Sequence, residues 1–173
     1  MMDAADVRQL MATTALRGGA EHNVALPGHD NRVLKDLDAH APATESLFDY
    51  LTDILLANRL LGDEIKLEGF YLHEDRLHVL TSQPFVDGVH PDWEVLRSGL
   101  ENQGMKQEAP RSRIPSFTMD GGPAGIVSVI DLHENNVVVG SETGVLLPID
   151  AHFYFEDRNA RLTALRALDL DIL

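Results

Sequence analysis

The chain contains no cysteine, which excludes disulfides, zinc–thiolate sites and thiol catalysis. The same absence is compatible with a reducing compartment, and a cytoplasmic location is the expectation. No apolar run approaches the roughly 20 residues needed to span a bilayer, so no membrane partner is expected. The opening stretch MMDAADVRQLMATTALRGG has acidic residues early and no apolar central block, so it does not read as a secretory signal. There is no G-x-x-x-x-G-K-[S/T], no G-x-S-x-G around Ser82, Ser116 or Ser128, and no H-x-x-x-H or H-E-x-x-H among the scattered histidines. A P-loop, nucleophile-elbow hydrolase chemistry and a zinc site are thereby set aside. Cations are also scarce: 14 Lys and Arg face 28 Asp and Glu, for a formal net charge of −14. That charge favours solubility and repels phosphate backbones, so nucleic acid is not an expected partner. It equally repels a nucleotide, so any nucleotide site here needs Mg²⁺ and at least one local cation.

What is present is an ordinary globular composition. The 173 residues are 44% hydrophobic and 24% charged, enough for one domain, or two small lobes sharing one core. Val7, Leu10 and Met11 predict a helix within 3–16, with Gly18-Gly19 as its stop. VAL and RVLKD flank the turn-rich PGHDN and predict a hairpin over 24–36. Pro42, Thr44 and Glu45 are start signals for a helix whose stripe is Leu47, Leu51, Ile54, Leu55 and Leu61, ended by Gly62. KLEGFYL and RLHVLTS, joined by His73-Glu74-Asp75, predict a second hairpin. A third helix fits 91–103, with Trp93, Leu96 and Leu100 on one face and Gly104 after it. Residues 105–124 read as an irregular connection. GIVSVID, NVVVG and VLLPID read as strands, and a last helix covers about 157–168 with Leu162, Leu165 and Leu168 inward. The order predicts an α+β fold rather than a regular βαβ series.

The stretch that carries chemistry is Ile130-Asp131-Leu132-His133-Glu134-Asn135-Asn136-Val137-Val138-Val139, followed by Leu147-Pro148-Ile149-Asp150. It places an acid, an Asn five residues later, and a second acid at the end of the next apolar hairpin. Phosphoryl transfer uses these residue types. A carboxylate orients the attacking hydroxyl and accepts its proton, while an amide oxygen and a second carboxylate hold Mg²⁺ on a triphosphate. An Asn ligates the metal without adding like-charge repulsion to the acids. His133 reads as a brace for this loop rather than a catalytic group. Taken alone, Lys35 reads equally as a solvated strand lysine, Gly18-Gly19 as a helix stop and Gln83 as a strand end.

D-L-H-x-x-N followed by a hydrophobic hairpin ending in I-D resembles the catalytic loop and metal aspartate of the protein-kinase and aminoglycoside-phosphotransferase superfamily. The likeness is greatest to the kinase-like domains of bacterial and phage polyvalent proteins. It extends over GGAEHNV (18–24), RVLK (32–35), LANRLLGDEIKLEGF (56–70), TSQPFVDG (81–88), IDLHENNVV (130–138) and LLPID (146–150). The resemblance implies a compact, truncated, two-lobed kinase-like fold, with a small lobe over about 15–82 and a larger one over about 83–173. It implies ATP and Mg²⁺ as cofactors and Asp131 as the catalytic acid, with Asn136 and Asp150 as metal ligands. Lys35 is implied at the α/β-phosphates, Gly18 and Gly19 in the loop that covers them, and Gln83 to Phe85 as the hinge that reads adenine. The acid that pairs with Lys35 stays open among Glu45, Asp49 and Asp53.

The sequence also departs from the wider superfamily. Val129 stands where protein kinases place a His, Ala151-His152 follow Asp150 with no Gly, and there is no full G-x-G-x-x-G. With only a short stretch after Asp150, a conventional activation segment and peptide platform are not expected. The expected function is Mg-ATP-dependent phosphotransfer to an acceptor the sequence does not name. The alternatives are a catalytically inactive kinase-like module that binds a nucleotide or a protein, and a structural domain of a mobile-element protein. Oligomeric state is not legible.

Overall fold

A computed structural model describes residues 3–13, 15–16, 22–26, 31–41, 46–109 and 115–170. It is an α+β protein that divides into two compact units. The first comprises residues 1–54 and 63–85, and the second residues 55–62 and 86–173. Gly18, Gly19, Pro42, Thr44 and Glu45 lie outside the described residues.

The first unit is built from α1 (Ala4–Thr13), β1 (Ala15–Leu16), β2 (His22–Ala25), β3 (Arg32–Asp38), the first part of α2 (Leu47–Leu60), β4 (Lys66–His73) and β5 (Arg76–Pro84). The strands form one antiparallel sheet in the order β1-β2-β3-β5-β4. The two hairpins read from the sequence are both here. Glu74 and Asp75 close the second with φ of 51° and 59°, the pair of positive angles that matches the twist of flanking strands in a two-residue loop. One sheet face and α1 form a core of Val7, Met11, Ala25, Leu34, Tyr71 and Leu80. Helix α2 is capped by Ser46, whose hydroxyl accepts from Asp49 N–H at 3.1 Å, and Gly62 follows it at φ 74°.

The second unit carries β6 (Gly88–Val89), α3 (Trp93–Asn102), β7 (Lys106–Gln107), β8 (Ser116–Asp120), β9 (Ile126–Ile130), β10 (Val137–Gly140), β11 (Leu146–Pro148), β12 (His152–Tyr154) and α4 (Arg158–Ala167). Its strands form two antiparallel sheets, ordered β11-β10-β6 and β12-β9-β8-β7. In the second of these, Phe117, Val127, Val129 and Phe153 fill the core while Thr118, Ser128 and Tyr154 alternate to the other face. In the first, Gly88 lies so close to β10 that a Cβ there would overlap Val139 O. Asp92 and Asp157 cap α3 and α4, accepting from Val95 and Ala160 N–H at 2.9 and 2.8 Å.

Two readings are corrected and one strand was not read. The 105–124 stretch is not irregular: it holds β7, β8 and a 3₁₀ turn at Gly122–Ala124. Strands of two and five residues interleaved with hydroxyl side chains give too short an alternation to read. The strand after Asp150, β12, is likewise only three residues long. On α4 the inward residues are Arg161, Ala164, Leu165 and Leu168, whereas Leu162 is half-buried.

A polar cluster sits inside the first unit's sheet. His78 Nδ1 donates to Asp36 Oδ1 at 3.1 Å, and Tyr71 stacks on His78 at 4.8 Å between ring centres. Burial, reinforced by the hydrogen bond to Asp36 and its charge, pushes the Tyr71 hydroxyl far above its ordinary 10.0. The folded protein therefore keeps this proton after the unfolded chain has lost it. Its contribution to stability is complete below pH 10 and declines as pH rises from there. Urea unfolding is expected to show stability falling between pH 10 and 11, with the fall reduced in Tyr71→Phe. An identical fall in both proteins would contradict this account.

Candidate functional site

The candidate loop begins where β9 ends. Its first residue, Asp131, is held at φ 63°, a left-handed conformation that costs a non-glycine residue roughly 1–2 kcal/mol. Three groups hold it there. Its N–H donates to Pro115 O at 3.1 Å, and its carbonyl accepts from His133 N–H at 3.0 Å and from Asn136 Nδ2 at 3.0 Å. Asn136 Nδ2 also donates to Asp131 Oδ2 at 2.9 Å. Both amide hydrogens are thus committed to oxygens of Asp131, and Asn136 Oδ1 is left as the group facing away. Because both neighbours are acceptors, the amide cannot be flipped without setting oxygen against oxygen.

His133 braces the loop, as its position suggested. Nδ1 accepts from Asn135 N–H at 3.2 Å, capping the 3₁₀ turn Glu134–Asn136. That bond places the ring proton on Nε2, which lies 3.7 Å from Asp131 Oδ1.

Asp150 reaches the same loop through the backbone. Ile149 N–H donates to Asn136 O at 2.9 Å, continuing the β10–β11 ladder past Val137–Pro148. Two residues after Asp150, His152 pairs with Ile130, the residue before Asp131. The segment 150–151 is therefore pinned at both ends against the two ends of the candidate loop. Asp131, Asn136 and Asp150 are brought together in one unit by the ends of β9, β10, β11 and β12.

The remaining site residues belong to the first unit. Lys35 is half-buried in the middle of β3, between Val24 of β2 and Thr81 of β5. The Thr81 hydroxyl lies 3.2 Å from that of Tyr50 on α2, so α2 presents Tyr50 to the sheet face that Lys35 shares. Asp53, three residues after Tyr50 and buried, projects on the same side of the helix. Asp49 bonds Ser46 in the helix cap. Gln83 is buried near the end of β5 opposite Val33, and Phe85 N–H donates to Asn31 O at 2.9 Å. The chain passes from the first unit to the second between Phe85 and Val86.

Two contributors were not read from the sequence. Pro115 supplies only a carbonyl, which no side-chain pattern signals. Arg161 is 6% exposed and donates to Phe153 O at 2.6 Å from the helix after β12. A buried arginine on an amphipathic helix runs against the pattern used to assign its inner face.

The ends of β9, β10, β11 and β12 thus carry an acid, an amide and a second acid within one unit. A family model for the serine/threonine/tyrosine kinase found in polyvalent proteins matches residues 4–157, and the chain belongs to that family. No curated protein and no solved structure matches it.

The loop geometry carries its own test. Asn136→Asp replaces a double donor with a carboxylate facing Asp131 O and Oδ2. It is expected to destabilise the protein by about 1 kcal/mol in urea unfolding, the usual cost of losing hydrogen bonds between partly buried groups. Unchanged stability would contradict the amide's role.

Proposed function

We propose that the chain is a Mg-ATP-dependent phosphotransferase. The observation that carries this reading is the commitment of both Asn136 amide hydrogens to Asp131, which turns Oδ1 away from the loop at a residue whose own carbonyl holds Ile149, the neighbour of Asp150. The donor set suits a hard cation. Asn136 Oδ1 and the Asp150 carboxylate are oxygen ligands, and among the described residues no group of three or more His, Asp or Glu could hold a metal alone. Mg²⁺ commonly takes one or two protein oxygens and completes its shell with phosphates and water. When bound, it supplies neutralisation of the charge that builds between the phosphates.

The protein's own residues then have distinct tasks. Asp131 orients the acceptor hydroxyl and takes its proton as the new bond to the γ-phosphorus forms and the bond to the β-γ bridging oxygen breaks. Asn136 fixes Asp131 in its left-handed conformation while ligating the metal. Lys35 contacts the α/β-phosphates, offsetting the repulsion expected of a chain with net charge −14. Gly18 and Gly19 close over the phosphates, and the backbone of Gln83 to Phe85 reads the adenine edge. The acceptor is a hydroxyl compound or side chain.

ATP with Mg²⁺ is expected to raise the melting temperature, and ATP with EDTA is not, because only the folded state binds the complex. Lys35→Ala is expected to weaken ATP binding about tenfold or more in calorimetry. Asp131→Asn is expected to retain Mg-ATP affinity and lose about 10²–10⁴-fold in γ-phosphate transfer or release. Asp150→Asn is expected to lose both. Equal low turnover in wild type and both variants, with ATP still bound, would make the protein a nucleotide-binding module. Loss of binding in a folded Asp131→Asn protein would show that the loop is misassigned.

A further inference from the structure

We propose that Arg161 is a positioning residue for Asp150: from α4 it clamps strand β12 and so fixes the carboxylate that the proposed function assigns to the metal. The inference rests on that reading for its consequence, though not for its geometry.

β12 is a three-residue strand at the edge of its sheet. An edge strand this short has few ladder hydrogen bonds, and among the described residues no strand pairs with its outer side. Its inner side is paired to β9 through His152–Ile130, Phe153–Val129 and Tyr154–Ser128. On α4, Arg161 donates through Nη2 to Phe153 O at 2.6 Å. Its guanidinium also stacks over the Phe155 ring, 5.1 Å from the centroid. The helix is itself anchored just beyond the strand, since Asp157 caps it and accepts from Arg161 N–H at 3.2 Å. β12 is therefore held from both sides, by β9 and by α4.

A guanidinium that is 6% exposed has given up most of its water. Burying a cation is costly, and a leucine at this position would fill the space and extend the helix's apolar stripe. What a leucine cannot do is donate to a carbonyl. The planar donor fork reaches the strand's backbone while the same plane lies on Phe155.

The consequence falls on Asp150. The span 150–151 has one anchor at Ile149, through Asn136 O, and the other at His152, through β9. Releasing Arg161 loosens the second anchor. Asp131 and Asn136 are held by Pro115, by His133 and by each other, so they stay in place. The loss is expected to fall on Asp150, the proposed metal ligand nearest β12.

Two measurements test this on the full chain, with Arg161→Met, Arg161→Lys and two controls. Ala164→Gly weakens α4 without touching the clamp, and Arg166→Met removes an exposed charge from the same helix. In amide hydrogen exchange without ligand, Arg161→Met is expected to exchange about tenfold or more faster over residues 149–154, with 131–137 unchanged. Ala164→Gly and Arg166→Met are expected to leave both stretches near wild type. Exchange over 149–154 that is no faster than in Ala164→Gly overturns the clamp. In titrations of ATP binding against Mg²⁺, Arg161→Met is expected to need about 10–100-fold more metal, as other outer supports of metal ligands do. Arg161→Lys, which keeps a cationic donor group without the planar fork, is expected to recover part of the loss. A metal requirement equal to that of Ala164→Gly overturns the link to Asp150. If wild type itself shows no metal-dependent ATP binding, the functional reading fails, and the exchange measurement still decides the clamp.

Discussion

The side-chain amide of Asn136 is the constraint on which the candidate site depends. Asp131 sits in a conformation that costs roughly 1–2 kcal/mol, and hydrogen bonds from one amide to its carbonyl and its carboxylate oppose that cost. The carboxylate is partly exposed, so water weakens the bond to Oδ2, and the two bonds together oppose the strain. The same two bonds decide which way Asn136 Oδ1 faces. Backbone strain, carboxylate position and amide orientation are therefore one arrangement rather than three.

The strands deliver the other parts to that arrangement. β9 leads into Asp131, β10 leaves from Asn136, β11 ends beside Asn136 O, and β12 returns to pair with the last residue of β9. Asp150 lies on the short link between the two sheets of its unit. Neither sheet alone would place it there. The apolar residues of these strands, Val127, Val129, Val137, Val138 and Phe153, are the buried ones, so packing holds the strand ends that carry the polar groups.

How much of this was legible depended on length and on which signals side chains give. The runs that became β9, β10 and β11 are apolar enough to announce themselves, and Gly62 and Gly104 end their helices at φ 74° and 92° as glycine permits. The acid–Asn–acid spacing was readable because each residue type has a chemical reason to be there. β7 and β12, two and three residues long, offer no period to detect. Pro42 and Thr44, read as start signals for α2, lie outside the described residues, and the Ser46 hydroxyl that accepts from Asp49 N–H was not read from the sequence. Arg161 was hidden because an inward arginine breaks the rule by which inward faces are found. The assignment of Lys35, Gly18, Gly19, Gln83 and Phe85 came from resemblance to a family, since none of them is distinctive alone.

The central claim is that a divalent cation binds between Asn136 and Asp150 when a nucleotide is present. Mn²⁺ is a paramagnetic substitute for Mg²⁺, and its relaxation effect on nearby nuclei falls steeply with distance. In ¹⁵N-labelled protein with a non-hydrolysable ATP analogue, substoichiometric Mn²⁺ is expected to broaden the Asn136 side-chain amide and the backbone amides of 149–151 before those of α3 or α4. It is expected to have no such effect on Asp150→Asn. Broadening that is uniform across the acidic surface, or that spares Asn136 while the analogue is bound, would contradict the account.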